Sequence, residues 1–359
     1  MICFVVWSTT ATPVTVKDFT GTAGPKVAIS NEPLYLFSLF FTDAIINIIV
    51  RETNRYAGQV LAAKGSSKQW RTSPQEIRAY FGFCILMGVC KLPELRDYWS
   101  TDPYLHYSPI ADRISRDRFE EVTRYLHFVD NQQLPARGQP NFHRLQKVLP
   151  ILTEMKKRFS EVYYPHCEVS VDEAMIKFKG RSTMKQYLPL KPIKRGFKIW
   201  VLADALNGYF WDINPYVGAT TGQVCTQLGS KVVLSLTAPL FGHYHHVYMD
   251  NFFSGMSLYQ TLLDNQTYAC GTIQSGRKYF PTDIMSNVKS LTRGEYSFRQ
   301  CNDLVAMVWK DKKPVTFVST LATPNELTSV QRRKKDGSVV EVSCPEVSCV
   351  CLLLFRIAK

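Results

Sequence analysis

The stretch that decides the fold is Glu168-Val-Ser-Val-Asp-Glu-Ala-Met-Ile-Lys-Phe-Lys-Gly-Arg-Ser-Thr-Met-Lys-Gln-Tyr-Leu-Pro-Leu-Lys-Pro-Ile-Lys-Arg-Gly-Phe-Lys198. It opens as a strand, because Val169 and Val171 alternate with Ser170 and Asp172 before Met175, Ile176 and Phe178 continue the apolar content. It then becomes a basic arm. Lys177, Lys179, Arg181, Lys185, Lys191, Lys194, Arg195 and Lys198 follow with no acidic residue among them. Carboxylates beside uncompensated positive charge suit a metal-dependent protein working on a phosphate backbone, acid to hold the ion and base to hold the polymer.

Outward from that stretch, 359 residues suffice for two or three domains, and 45% hydrophobic with 20% charged content excludes a largely disordered chain. A net charge of +13 implies attraction to polyanions. Nucleic acid is favoured over a membrane surface, since the charge is not laid along one amphipathic helix. The window Pro33 to Val50 is apolar, but Asp43 and Asn47 interrupt it and Arg51-Glu52 follows, which reads as a buried helix rather than a membrane span. The ten cysteines are scattered without a C-x-x-C pair, the pattern of reduced, intracellular thiols.

Along the chain, residues 1–30 are an irregular Thr/Gly/Pro-rich lead-in from which Trp7 and Phe19 could dock. Four helices are predicted next. One runs from Leu34 to Tyr56, and a second starts at Ser73 with Glu76 completing a reciprocal capping box. The third starts near Ser115, and the fourth carries a stripe from Leu145 to Phe159. After Pro165 the reading changes to Glu168–Phe178, Phe197–Asp204 and Tyr209–Val217 as strands, with Asn207-Gly208 as a hairpin turn. A helix from Val224 to Leu240, a strand from His245 to Asp250, a helix from Ser257 to Leu263 and a strand from Tyr268 to Ile273 complete a β-β-β-α-β-α-β order. That order predicts an α/β fold, a mixed sheet with helices on its faces, preceded by a mostly α-helical domain. Beyond Gly276 come short strands and a basic hairpin with Asp336-Gly337 at its tip.

Asp172 lies in the first strand, and Asp250 closes the fourth in His-His-Val-Tyr-Met-Asp-Asn-Phe-Phe. In a sheet of this order those strands can be neighbours, so both carboxylates could meet at one Mg²⁺, which takes hard oxygen ligands and keeps several waters. Without the basic run and the strand order, each reads as a strand-end carboxylate with backbone partners.

Ser-Val-Asp-Glu-Ala-Met, Lys-Gly-Arg-Ser, Tyr-Leu-Pro-Leu-Lys-Pro, Arg-Gly-Phe-Lys, Met-Asp-Asn-Phe-Phe-Ser and the upstream Glu52-Thr-Asn-Arg-Tyr-Ala57 resemble the piggyBac transposase family and its domesticated, transposable-element-derived members. The likeness extends from about Phe19 to Pro345. It implies an RNase H-like core (166–275) interrupted by a β-rich insertion with the basic hairpin (276–343), preceded by a helical dimerisation and DNA-binding region (31–165). It implies DDE/D chemistry with two Mg²⁺ ions, in which Asp172 and Asp250 match the first two catalytic aspartates. It further implies double-stranded DNA with TTAA targets, a homodimer and a nuclear location. The basic cluster Arg332-Arg-Lys-Lys335 is a four-residue hint of nuclear import, and a cluster of this kind is more often a solvated hairpin tip.

The departure lies in the tail, residues 344–359. The family's third aspartate is expected there, in a Met-Gly-Gly-Val-Asp type segment, and the tail contains no aspartate. Asp264, Asp283, Asp303, Asp311 and Asp336 stand in other contexts, and Cys344, Cys349 and Cys351 lack the spacing of a structural zinc site. The expectation is therefore a C-terminally truncated chain with impaired strand cleavage and transfer. The alternatives are a domesticated, non-catalytic DNA-binding protein and a non-functional product of a decayed element.

Overall fold

The computed structural model describes residues 6–189, 191–218, 226–286, 288–334 and 336–347. It forms two compact units, Ile29–Arg158 on the one hand and Met1–Ala28 with Phe159–Lys359 on the other. In the helical unit, α1 (Pro33–Phe40) and α2 (Asp43–Ala63) replace the single helix expected from Leu34 to Tyr56. They bend by 66° because Thr42 leaves the helical conformation and its hydroxyl caps α2 by accepting from the Ile45 N–H. Among the described residues no single helix is long and apolar enough to cross a membrane.

Helix α3 (Pro74–Val89) starts at Ser73, whose hydroxyl accepts from the Glu76 N–H. The reciprocal half of the expected capping box is absent, since the Glu76 carboxylate is taken by the Thr72 hydroxyl at 2.6 Å and by Arg118 at 2.7 Å. After the short α4 (Ser108–Ala111), α5 (Arg116–Tyr125) buries Phe119, Val122 and Tyr125 against α2 and α3 residues. The last helix, α6 (Leu149–Val162), begins four residues later than the apolar stripe suggests. The Glu52–Ala57 motif serves this unit structurally. Glu52 is buried between Arg51 and Arg55 at 2.7 Å each, and Asn54 exchanges two hydrogen bonds with the Thr72 backbone.

The second unit is built on β1 (Glu168–Lys177), β2 (Arg195–Asp204), β3 (Phe210–Pro215), β4 (His246–Met249), β5 (Tyr268–Thr272), β6 (Tyr296–Cys301), β7 (Leu304–Lys310) and β8 (Pro314–Ser319). With the two-residue strand Gln186–Tyr187, which pairs with β2, these make one nine-stranded sheet of order β3-β2-β1-β4-β5-β8-β7-β6. The strands β1, β4 and β5 are mutually parallel, and all other neighbours are antiparallel. The strands β6, β7 and β8 thus extend the same sheet, because β8 pairs with β5 over Phe317↔Thr272 to Ser319↔Cys270, whereas Leu327–Arg333 and Val339–Pro345 pair with each other as a separate two-stranded sheet.

Helices α7 (Leu228–Thr237) and α8 (Met256–Asp264) cover one face, where Val232, Val233, Leu236, Leu258, Tyr259 and Leu262 meet Val169, Val171, Val247 and Met249 in the main core. The start of the predicted Val224 to Leu240 helix falls partly outside the described residues. On the other face, Tyr248, Cys270, Trp309 and Phe317 pack with Val342 and Cys344 of the hairpin β9 (Leu327–Arg333) and β10 (Val339–Pro345). Cys84, Cys90, Cys167 and Cys301 carry free thiols, whereas Cys270 is disulfide-bonded, a departure from a fully reduced set. The lead-in threads along this unit, with Ser8 bridging to Gln300 and the Phe19 ring tilted against that of His245 at 4.7 Å.

A buried carboxylate locks the β2–β3 hairpin. Asp204 is fully buried and accepts from the Tyr163 hydroxyl (2.8 Å), the His166 N–H (3.0 Å), the His166 ring (2.7 Å) and the Leu206 N–H (2.9 Å). The turn that follows is the predicted Asn207-Gly208, with Gly208 at φ +76°. Burial pushes the Asp204 carboxyl up, but these donors outweigh it and hold it below the ordinary carboxylate value. A depressed folded-state value contributes stability that is present above the unfolded-state value and is lost as pH falls through the folded one. Asp204→Asn is therefore expected to cost about 3 kcal/mol in urea unfolding at neutral pH and to flatten the loss of stability on acidification. An unchanged unfolding midpoint would contradict this account of the hairpin.

Candidate functional site

The parallel pairing of β1 with β4 sets Glu168 opposite His246, Ser170 opposite Tyr248 and Val171 opposite Met249. One residue further along, the chain delivers Asp172 and Asp250 to neighbouring strands, which lie about 4.8 Å apart. Since β4 pairs with β5 through Met249↔Gly271, the next position there is Thr272, whose hydroxyl donates to Asp250 Oδ1 at 3.2 Å. The row Asp172, Asp250, Thr272 lies where the parallel pairing of the three strands ends, midway along β1 and at the C-terminal ends of β4 and β5, the side on which open α/β sheets present ligand-binding groups.

Each aspartate is turned back on its own backbone. Asp172 Oδ1 accepts from the Glu173 N–H at 2.7 Å, and Asp250 Oδ1 accepts from the Asn251 N–H. The Asp250 carbonyl accepts from Phe253 N–H (3.0 Å) and Ser254 N–H (3.2 Å), and Arg277 donates to the Asn251 and Phe252 carbonyls, so the turn after β4 is tied down on both sides. Gly271 is required beside it. A Cβ there would collide with the Met249 carbonyl oxygen and come within 2.8 Å of the Tyr259 hydroxyl.

The expected basic arm is a folded excursion between β1 and β2. Leu188 N–H donates to the Lys194 carbonyl at 2.9 Å, Gln186–Tyr187 pairs with Gly196 and Arg195, and the Arg195 guanidinium lies 4.7 Å over the Tyr187 ring. Gly196 closes it, since a Cβ there would overlap the Ile176 carbonyl oxygen. Two of the eight basic residues are brought to the acidic end of β1. Lys191 pairs with Glu173 at 3.3 Å, and Lys198 is influenced by both Glu173 and Asp172 while its ammonium lies 4.8 Å from the Phe252 ring. Lys177, Lys179, Arg181, Lys194 and Arg195 are exposed, and Lys185 donates to the Gly180 carbonyl at 2.8 Å.

The donor set fits a hard cation in part. Two half-buried carboxylates with Thr272 behind one of them are the oxygen ligands that Mg²⁺ takes. Among the described residues, no third His, Cys, Asp or Glu joins Asp172 and Asp250 in a set whose ligand atoms all lie within 4.8 Å of one another. Thr272, Arg277 and Glu173 were not singled out by sequence reasoning. Thr272 could have been found by carrying the strand count that locates Asp250 across to β5.

This mixed sheet with helices on one face carries the two aspartates, and comparison with known proteins identifies its class as a DDE transposase fold. Residues 32–348 match the family described as Transposase IS4. The human PiggyBac transposable element-derived protein 2 is 31% identical over 308 residues, covering 83% of this chain and 50% of the relative. The human PiggyBac transposable element-derived protein 3 is 28% identical over 331 residues, covering 89% of this chain and 54% of the relative. A cryo-EM structure of the piggyBac transposase synaptic complex with hairpin DNA superposes with a TM-score of 0.75 at 25% identity, over 94% of this chain and 69% of that one. The chain belongs to the piggyBac-type transposase family, as a transposase-derived protein with an RNase H-like core. It spans about half the length of these two human relatives.

Burial lowers the Lys198 ammonium below the ordinary lysine value, and Glu173 and Asp172 offset part of that. Glu173→Gln removes one offsetting charge, so the Lys198 titration followed by NMR is expected to move lower still. A midpoint that stays put or rises would show that Glu173 does not face Lys198.

Proposed function

We propose that this chain is a transposase-derived protein that binds double-stranded DNA along the basic excursion and holds a divalent cation, Mg²⁺ by donor type, between Asp172 and Asp250. The observation that supports the reading is the strand register, whose last pair, Val171 with Met249, stands one residue before each aspartate, with the excursion rising from the same strand. A divalent ion in such a site supplies activation of an attacking oxygen and stabilisation of a leaving one in phosphodiester chemistry. In this chain Asp172 and Asp250 would bind the ion, Thr272 would orient Asp250, and Lys191 and Lys198 would offset the phosphate charge at the same end of β1.

With two carboxylates as its donors, the ion is held loosely, so we assign the 359-residue chain DNA binding with strand cleavage at most weak. The family resemblance extends the reading to TTAA-containing targets, to pairing of two chains on DNA and to a nuclear location. Arg332 contributes little to a free basic signal, since it is ion-paired to Asp311 at 3.0 Å.

The test is duplex binding by fluorescence anisotropy across a salt series, with a parallel nicking assay in Mg²⁺. Affinity is expected to fall steeply with salt, and replacing Lys179, Arg181 and Lys194 together by Ala should reduce the logarithmic salt slope by about 2–3. Nicking should not exceed that of Asp172→Asn. Salt-independent binding would remove the DNA assignment, and nicking lost in Asp172→Asn would show a working enzyme. Duplexes with and without TTAA, sedimentation on DNA and imaging of the tagged chain check the narrower expectations.

A further inference from the structure

The same face of the β1–β4 pair carries a second set of ligand groups at its opposite end. Glu168 and His246 are register partners across the two parallel strands, and Cys167 immediately precedes β1. One ligand atom from each of Cys167, Glu168 and His246 can be chosen so that all three lie within 4.8 Å of one another, and all three residues are half-buried. They form the one such group of His, Cys, Asp and Glu among the described residues. The backbone holds the geometry, because the His246 N–H donates to the Cys167 carbonyl at 2.9 Å and the Ala205 N–H donates to that of Glu168 at 2.9 Å. The Cys167 thiol reaches the Tyr244 carbonyl at 3.8 Å and lies against the His246 backbone N–H. Among the described residues, neither the Glu168 carboxylate nor the His246 ring makes a hydrogen bond that would compete with a metal.

We propose that Cys167, Glu168 and His246 bind a single Zn²⁺-class ion with solvent in the fourth position. The chemistry of the donors selects the ion. A thiolate and an imidazole favour Zn²⁺ over Mg²⁺ or Ca²⁺, a carboxylate is a common third ligand, and three protein ligands leave one tetrahedral position open. Drawing the three groups from within 4.8 Å to ligand spacing needs side-chain rotation and no change of register. Four residues along β1 separate this set from Asp172, which is about 13 Å at 3.3 Å per residue. The two sites are therefore distinct, one soft and one hard, and the ion would clip the starts of β1 and β4 together while the aspartates follow at the other end of their paired segment.

The test uses the full chain under reducing conditions, stripped with chelator, reloaded with one equivalent of Zn²⁺ or Co²⁺ and desalted. About one Zn²⁺ per chain is expected to remain, and the Co²⁺ form should show thiolate-to-metal charge transfer with tetrahedral d–d bands. Cys167→Ser and His246→Ala should each weaken binding by at least about 100-fold, more than loss of an outer partner does, while Asp250→Asn and Cys90→Ser retain it. Failure of the unaltered protein to hold the ion, a Co²⁺ spectrum without thiolate character, or full retention in Cys167→Ser would each overturn the proposal. The spectrum of the unaltered protein decides even if a variant misfolds.

Discussion

The parallel register between β1 and β4 is the constraint on which the rest of the site depends. Val169, Val171, Val247 and Met249 are all essentially solvent-free on the helix-covered face, so the pairing is held by apolar contacts from four directions. Side chains alternate along a strand, and a slip of one residue would turn Asp172 toward that core and a valine toward solvent. The burial of one face thus fixes the polar display on the other. Steric limits reinforce the pairing: Gly271 lets β5 approach the Met249 carbonyl, and Gly196 lets β2 approach that of Ile176.

On the other face the register pairs Glu168 with His246 and Ser170 with Tyr248, and Asp172 and Asp250 are the next positions of that face beyond the last pair, Val171 with Met249. The pair of Ser170 and Tyr248 is buried and separates two partly exposed ends with different donor chemistry. The acidic end faces the basic excursion, where Lys191 and Lys198 stand close enough to be paired with or perturbed by the carboxylates. A polyanion drawn to the exposed lysines and arginines would arrive beside the acidic row, and a cation there would reconcile the two negative charges with a phosphate. The hydrogen bonds that orient Asp250 come from two other segments, Thr272 on β5 and the backbone of the turn that Arg277 pins. The aspartate is therefore placed by the sheet and by the turn together.

Much of this was legible in the residues. The alternation through Val169 and Val171, the apolar run ending in Asp250 and the Asn207-Gly208 turn each report a local preference that the tertiary structure keeps. What escaped the sequence is non-local. The 66° bend at Thr42 shows no Gly or Pro, and Glu76 leaves its expected cap because Arg118, distant in sequence, offers a charged partner. The composition of the basic arm carries no sign of the two-residue strand Gln186–Tyr187 that pairs with β2. Asp204 reads as a strand end, yet it is fully buried, with three hydrogen bonds from Tyr163 and His166 besides the one from Leu206 in its own turn. The joining of β8 to β5 likewise follows from pairing across more than forty residues, which no local pattern encodes.

The central claim is that Asp172 and Asp250 act as one metal site. Mn²⁺ binding followed by electron paramagnetic resonance in the unaltered chain, Asp172→Asn, Asp250→Asn and the double variant tests it most directly, with the Cys167 set blocked by prior Zn²⁺. The account predicts that each single change removes the same bound ion and that the double change adds nothing further, the non-additivity of two ligands to one centre. Independent, additive losses, or Mn²⁺ binding unaffected by either change, would contradict it.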